Sequence, residues 1–319
     1  MATTKKSTTT KSKTAKKSST KKQPTKKSVA SASVKASSTK AVAKKANSVK
    51  ASAPKKSSKK GPMSVMQKLN VWNWVMAGLH TAQGVAVILL SQNKLFPVTT
   101  NYLTVDTIKD LNDAPTLVSA TRHLFDIRLA YLVAAFFFMS AIAHLVIATI
   151  YRKRYESDLN NGINKARWFE YGISASTMML AISMLAGVSD ISTLVLIFGS
   201  TAVMNLMGLM MEVHNQTTKK TDWLSFIIGT KSGLLPWISV GLYLWGANQY
   251  GDGKIPTFVY WIYGSMFVFF SSFAVNMWLQ YKKKGKWSNY LYGERAYMIL
   301  SLVAKSLLAW QVFAGTLRP

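Results

Sequence analysis

"LAYLVAAFFFMSAIAHLVIATI", residues 129–150, holds no charged residue and one histidine. As a helix rising 1.5 Å per residue it would be about 33 Å long, enough to cross the ~30 Å hydrocarbon core of a bilayer. A soluble helix needs a polar face recurring at 3.6-residue spacing, and this stretch has none. It therefore reads as a membrane span. The same holds for "STLVLIFGSTAVMNLMGLMM", residues 192–211. Working outward, seven apolar stretches of this kind are placed at about 71–91, 127–150, 166–188, 191–211, 224–247, 256–280 and 296–316. The expected fold is all-α: a seven-transmembrane-helix bundle.

A formal charge of +28 sits oddly with 49% hydrophobic residues. Cutting the chain near residue 70 resolves the conflict. Residues 1–70 hold 20 lysines, no arginine, no acid and no aromatic residue, whereas the rest balances 20 Lys+Arg against 12 acids. The division predicts a disordered Lys-rich tail at 1–64 and a membrane domain at 65–319. Cysteine is absent, which excludes disulfides, thiolate catalysis and Cys-ligated zinc. The N-terminus lacks the apolar core of a secretory signal, so Val71 onward is expected to act as an uncleaved anchor.

Lys and Arg in short loops set orientation. Loops after spans 2, 4 and 6 carry "YRKRYE", Lys165, Arg167, Lys219, Lys220, "YKKKGKW" and Arg295. Loops after spans 1, 3 and 5 offset their few cations with Asp106, Asp110, Asp113, Asp190 and Asp252. The N-terminus is thus expected in the cytoplasm and the C-terminus outside. The long connection at 92–126 contains "FPVTTNYLTV", whose β-branched alternation predicts a short extracellular hairpin.

Charge inside a span costs at least ~2.5–3.5 kcal/mol on insertion scales. Lys305, in "SLVAKSLLAW", lies roughly 15 Å from either end of its span, out of snorkelling reach. Either it pairs with a buried carboxylate or it is not a free amine. A desolvated lysine is nucleophilic and suits Schiff-base formation with an aldehyde. Such a base, once protonated, needs a counter-ion, and Glu170 in "ARWFEYGIS" is the one acid expected well inside a span. Lys231, by contrast, is expected to reach the inner surface. Three hydroxyls lie one turn from these groups: Ser301 from Lys305, Ser174 from Glu170 and Ser140 from His144. Two intramembrane histidines, His80 and His144, fall at similar depth and suit proton relay or interhelical hydrogen bonding. No metal site is expected.

"SLVAKSLLAWQVFAGTLRP", with "KGKWSNYLYGERAY" before it, resembles the heliorhodopsins. "RWFEYGISASTMM", "LHTAQG", "SAIAHLVIA", "LLPWI" and "FVFFSSFA" resemble further segments of that family, over residues 65–319 in all. The resemblance implies a rhodopsin-like bundle with inverted orientation and all-trans retinal on Lys305 as a protonated Schiff base. It implies Glu170 as counter-ion and Ser140, Ser174 and Ser301 around the Schiff base. His80 and His144 would belong to a polar inner cavity that receives the proton, and Met204, Trp237 and Phe270 would line the polyene pocket. It also implies a homodimer and a slow photosensory cycle acting on a signalling partner that the sequence does not name. Two features depart from the family: the lysine tail, and Lys231 where an apolar residue is expected.

No carboxylate is expected in the outward parts of spans 3 and 7, which argues against an ion pump. Alternatives are a light-gated proton or ion channel on the same scaffold, and a non-retinal membrane tether. No nucleophile–base pair points to an enzyme. The tail is expected to lie on anionic membrane lipid, with nucleic acid or an acidic protein as the alternative partner. Phosphorylation of its many Ser and Thr would weaken either contact.

Overall fold

The computed structural model describes residues 63–106, 116–253 and 255–319. The expectations for residues 1–62, including the disordered tail and its partners, lie outside the described residues.

The first helix, α1 (Val65–Leu90), starts where Ser64 accepts from the Gln67 amide and Gln67 reaches back to the Ser64 amide, a reciprocal cap. It leads into an antiparallel hairpin, β1 (Leu95–Val105) and β2 (Leu117–Arg128), with a register shift between Val98 and Thr99. The helices α2 (Leu129–Ala148), α3 (Arg152–Asn160), α4 (Lys165–Leu185) and α5 (Ile191–His214) follow. Next come α6 (Leu224–Tyr250), α7 (Thr257–Tyr281) and α8 (Tyr290–Val312), the last extended by a π-helical turn over Phe313–Leu317.

Among the described residues, six helices are long and apolar enough to cross a membrane: α1, α2, α5, α6, α7 and α8 with its extension. Helix α4 is 21 residues long but carries Lys165, Arg167 and Glu170 in its first two turns and stays below that mark. The outward faces of the six are apolar, as Leu196, Trp261 and Val268 illustrate, each more than 60% exposed. Greasy surface on this scale is what lipid, not water, solvates. The chain is thus an integral, multi-pass membrane protein.

Several expected boundaries shift. The hairpin strands are 11 and 12 residues long, and β2 runs straight into α2, so Ile127 and Arg128 are strand rather than span. Helix α5 continues past 211 to His214 and α8 begins at Tyr290, six residues before the expected start. Inside α6, Pro236 has no N–H to offer the Ser232 carbonyl four residues back. The Ser200 hydroxyl of α5 donates to that carbonyl at 2.6 Å, and Ser232 Oγ donates to the Ser200 carbonyl at 2.8 Å. The break in α6 is thereby converted into a clamp on α5.

The largest apolar core joins α2, α4, α5, α6, α7 and α8, with Phe136, Phe137, Met179 and Met266 fully buried. At the opposite end Trp168, Tyr171 and Tyr297 form a second, aromatic core. Alternating helix direction gives the bundle a hairpin end and a basic end, the latter holding α3 and the lysine-rich turns. The hairpin is tied to the α4–α5 turn by Thr99 N donating to the Ser189 carbonyl at 2.9 Å and Asn101 N donating to Asp190 Oδ1 at 3.3 Å.

Candidate functional site

Helix α8 carries Ser301 and Lys305 one turn apart, and both are buried. Lys305 Nζ donates to Ser301 Oγ at 2.8 Å and lies 3.4 Å from Glu170 Oε1 on α4. Glu170 Oε1 accepts from Ser140 Oγ of α2 at 2.5 Å. A lone ammonium in this interior would be prohibitively costly, and the carboxylate opposite offsets that cost. Ser174, one turn from Glu170 on α4, is also fully buried, with its hydroxyl on the carboxylate's side. The ring of Tyr171 lies 5.2 Å from Lys305 Nζ, and its hydroxyl donates to the Tyr297 carbonyl at 2.9 Å.

An apolar channel starts at this pair. A cavity of ≈ 40 Å³ is lined by Lys305, Ser301, Tyr171, Met178, Met204 and Phe270. It shares Met204, Asn205, Phe270 and Phe273 with a second cavity of ≈ 300 Å³ that reaches Trp237 and Phe267 between α5, α6 and α7. Trp237 meets Phe270 edge-on at 5.4 Å and Tyr263 at 5.6 Å. Glycines keep the space open. A Cβ on Gly233 would fall 2.2 Å from Met204 Sδ, and one on Gly208 2.4 Å from the Trp168 ring. Two adjoining aromatic-walled cavities with a buried lysine nitrogen in their lining fit a conjugated aldehyde such as retinal. Met204, Trp237 and Phe270 all belong to that lining.

Toward the basic end, His144 Nδ1 donates to Asn73 Oδ1 at 2.7 Å. His144 also lines a ≈ 20 Å³ cavity with Glu170, Tyr171, Arg167 and Glu294, room for about one water. His80 does not line that cavity. It stacks on His144 at 5.7 Å, fully buried, and neither ring nitrogen has a hydrogen-bond partner among the described residues. Ser140, expected beside His144 by spacing, turns instead to Glu170 and to the Phe136 carbonyl.

Glu170, the one acid expected well inside a span, is not the only acid withdrawn from solvent among the described residues. Glu212 near the end of α5 and Glu294 in the first turns of α8 are each 2% exposed. Both are paired to Arg167 of α4, which is itself buried rather than in a loop. Asn164 adds a bond to each: its backbone N–H donates to Glu212 at 2.8 Å and its side chain to Glu294 at 2.6 Å. The guanidinium stacks 4.0 Å from the Tyr297 ring centre and 4.7 Å from that of Trp168. Spacing alone missed this cluster because its members lie 45 to 127 positions apart. A usable signal was present: Arg167, Glu212 and Glu294 all flank apolar runs at the same end of the bundle.

A sequence model of the Heliorhodopsin family matches residues 69–317. A search of curated proteins gives no match. Among solved structures, the fold is similar to the light-driven proton pump LR (Mac) from Leptosphaeria maculans, with a TM-score of 0.53 and 14% identity. That similarity covers 80% of this chain and 96% of the other.

Proposed function

The chain belongs to the heliorhodopsin family, and from that premise we propose that it is a light-sensing photoreceptor with all-trans retinal attached through Lys305. The family implies a retinal chromophore. In this reading, α4 also crosses the bilayer as the seventh span, with the N-terminus cytoplasmic and the chain forming a homodimer. The observation that carries the proposal is the Lys305–Glu170 pair, 3.4 Å apart, with Lys305 in the wall of an aromatic-lined cavity.

Retinal, when bound, supplies visible absorption and a light-driven change of shape. The chain's own residues do the rest. Glu170 balances positive charge at the Lys305 nitrogen, while Ser301 and Ser140 hold nitrogen and carboxylate in register. A proton leaving that nitrogen toward the basic end meets Glu170, then the small cavity shared with His144, Arg167 and Glu294. Toward the hairpin end, no acid lies within the helices among the described residues. Net pumping needs acceptor and donor groups on opposite sides, so this one-sided arrangement favours a sensor with a slow return to the dark state. The pumping activity of the structurally similar protein is not carried over.

Purified protein given all-trans retinal is expected to absorb visible light, and Lys305→Ala is expected to stay colourless. Borohydride should fix the label on Lys305. A colourless parent, or a label on another lysine, sinks the reading. Sustained photocurrent in a voltage-clamped cell would replace the sensor with a conductor.

A further inference from the structure

At the basic end, three turns meet around a polar cavity of ≈ 320 Å³ that the photochemistry above leaves unused. Its wall includes Asn215, Gln216, Lys219, Lys283, Ser288 and Tyr290. Three observations mark it as built for an anion.

First, the lysines of "YKKKGKW" are sorted. Lys282 lies over the Trp223 ring at 5.3 Å and Lys284 over the Trp278 ring at 5.3 Å. Lys283, between them, lines the cavity instead, as does Lys219 from the α5–α6 turn. Among the described residues neither of these two makes an ion pair, so both charges are available to a ligand.

Second, Lys283 occupies a backbone position that glycine normally fills. The end of α7 closes with Lys284 N donating to the Leu279 carbonyl at 3.2 Å and Lys283 N to the Gln280 carbonyl at 3.0 Å. This is a Schellman turn, whose residue after the cap is left-handed and is usually Gly. Here it is Lys283, at φ +48°. A side chain held at a strained position points to a use for that side chain.

Third, the cavity is wired to the site. The Tyr290 hydroxyl donates to Glu212 Oε1 at 3.1 Å. Glu212 pairs with Arg167, and Arg167 shares the small cavity with Glu170. A ligand that repositions Tyr290 therefore acts on the groups next to Lys305.

We propose that this cavity binds a phosphate or diphosphate group and that its occupancy sets how fast the illuminated protein returns to its dark state. Lysine is a compact point charge suited to phosphate, and the surrounding amides and hydroxyls supply neutral donors. The group could belong to a soluble phosphorylated metabolite or to a phospholipid headgroup. The binding half rests on the cavity alone; the kinetic half also rests on the photoreceptor reading.

The test uses full-length protein in nanodiscs. Inorganic pyrophosphate is titrated into discs of neutral lipid, and a parallel set contains phosphatidic acid without pyrophosphate. Binding is read by calorimetry and by intrinsic tryptophan fluorescence, to which Trp287 in the cavity wall contributes, and neither needs a pigment; recovery is read after a flash. Pyrophosphate is expected to bind the parent and to change the recovery rate at least twofold. Effects from phosphatidic acid alone would identify the headgroup as the source. Lys219→Gln with Lys283→Gln should weaken binding at least tenfold, whereas Lys282→Gln should change it less than twofold. Tyr290→Phe should lose the rate change even when pyrophosphate saturates it. Lys283→Gly guards against a folding artefact: relief of the left-handed strain should leave it at least as heat-stable as the parent, yet it should bind poorly. The proposal is overturned if neither probe binds, if Lys283→Gly binds like the parent, or if Lys282→Gln loses as much as the double variant. Binding without any rate change overturns the regulatory half. A colourless parent that still binds pyrophosphate would sink the photoreceptor reading and leave the site standing.

Discussion

Replacing Arg167 by methionine tests the buried charge cluster most directly. The change keeps length and apolar character but strands Glu212 and Glu294, each 2% exposed and each ion-paired to the guanidinium. Removing one partner of a buried ion pair costs about 3–5 kcal/mol, because the remaining charge has no compensation. Stacking on Tyr297 and Trp168 adds about 0.5–2 kcal/mol. Four neighbouring hydrogen bonds survive, from Asn164 N, Asn164 Nδ2, Tyr155 and Tyr290, so the lower part of the combined range, about 4–5 kcal/mol, is the expected loss. That is a large share of the ~5–15 kcal/mol by which most domains are stable. Unfolding in detergent is followed by near-ultraviolet circular dichroism, with half-life as the readout in case refolding fails. Arg167→Met should unfold far faster than the parent. The triple variant Arg167→Met, Glu212→Gln, Glu294→Gln should recover most of the loss, since neutral amides keep the shape without the stranded charge. An Arg167→Met protein as durable as the parent would refute the argument, as would a triple variant no better than the single.

Glu170→Gln should fold, bind retinal and change colour, and its visible band should vanish at lower pH than the parent's, because no carboxylate then favours a charged Lys305 nitrogen; an unchanged pH titration removes Glu170 from the counter-ion role. Gly208→Ala would place a methyl 2.4 Å from the Trp168 ring and is expected to cost about 1–3 kcal/mol by overpacking. Pigment yield should fall with it, and a normal yield at normal melting temperature would contradict the channel geometry. The Thr193 and Asn101 backbone N–H groups hold Asp190 below its ordinary carboxylate range. A lowered folded value means that its contribution is present at neutral pH and is lost as pH falls through that value. Protection of the Asn101 amide, after division by its intrinsic pH-dependent exchange rate, should therefore fall on acidification in the parent and be flat in Asp190→Asn; parallel protection curves would sever the hairpin from Asp190.

How much could be read in advance differs by feature. The spans were legible because a bilayer imposes one length and one polarity on whatever crosses it, and residues 129–150 meet both. Lys305 and Glu170 stood out because charge in such a run is expensive wherever it points. Boundaries fared worse: α8 starts at Tyr290, not 296, because the expected span begins only after the charged pair Glu294 and Arg295. Their fates differ, with Glu294 buried against Arg167 while Arg295 is exposed. That distinction depends on which face of the helix meets a partner, and no local pattern carries it.

From the order of residues alone came the membrane class, the apolar lengths and the two costly charges, since each follows from the transfer energy of side chains near one another in the chain. Tertiary packing alone decided that Ser140 serves Glu170 rather than His144, that Arg167 gathers two distant glutamates, and that Lys283 lines a cavity while its neighbours rest on tryptophans. Those outcomes hinge on distances of about 3–5 Å between separate helices, where hydrogen bonds and desolvation act, and such distances exist only once the bundle has closed.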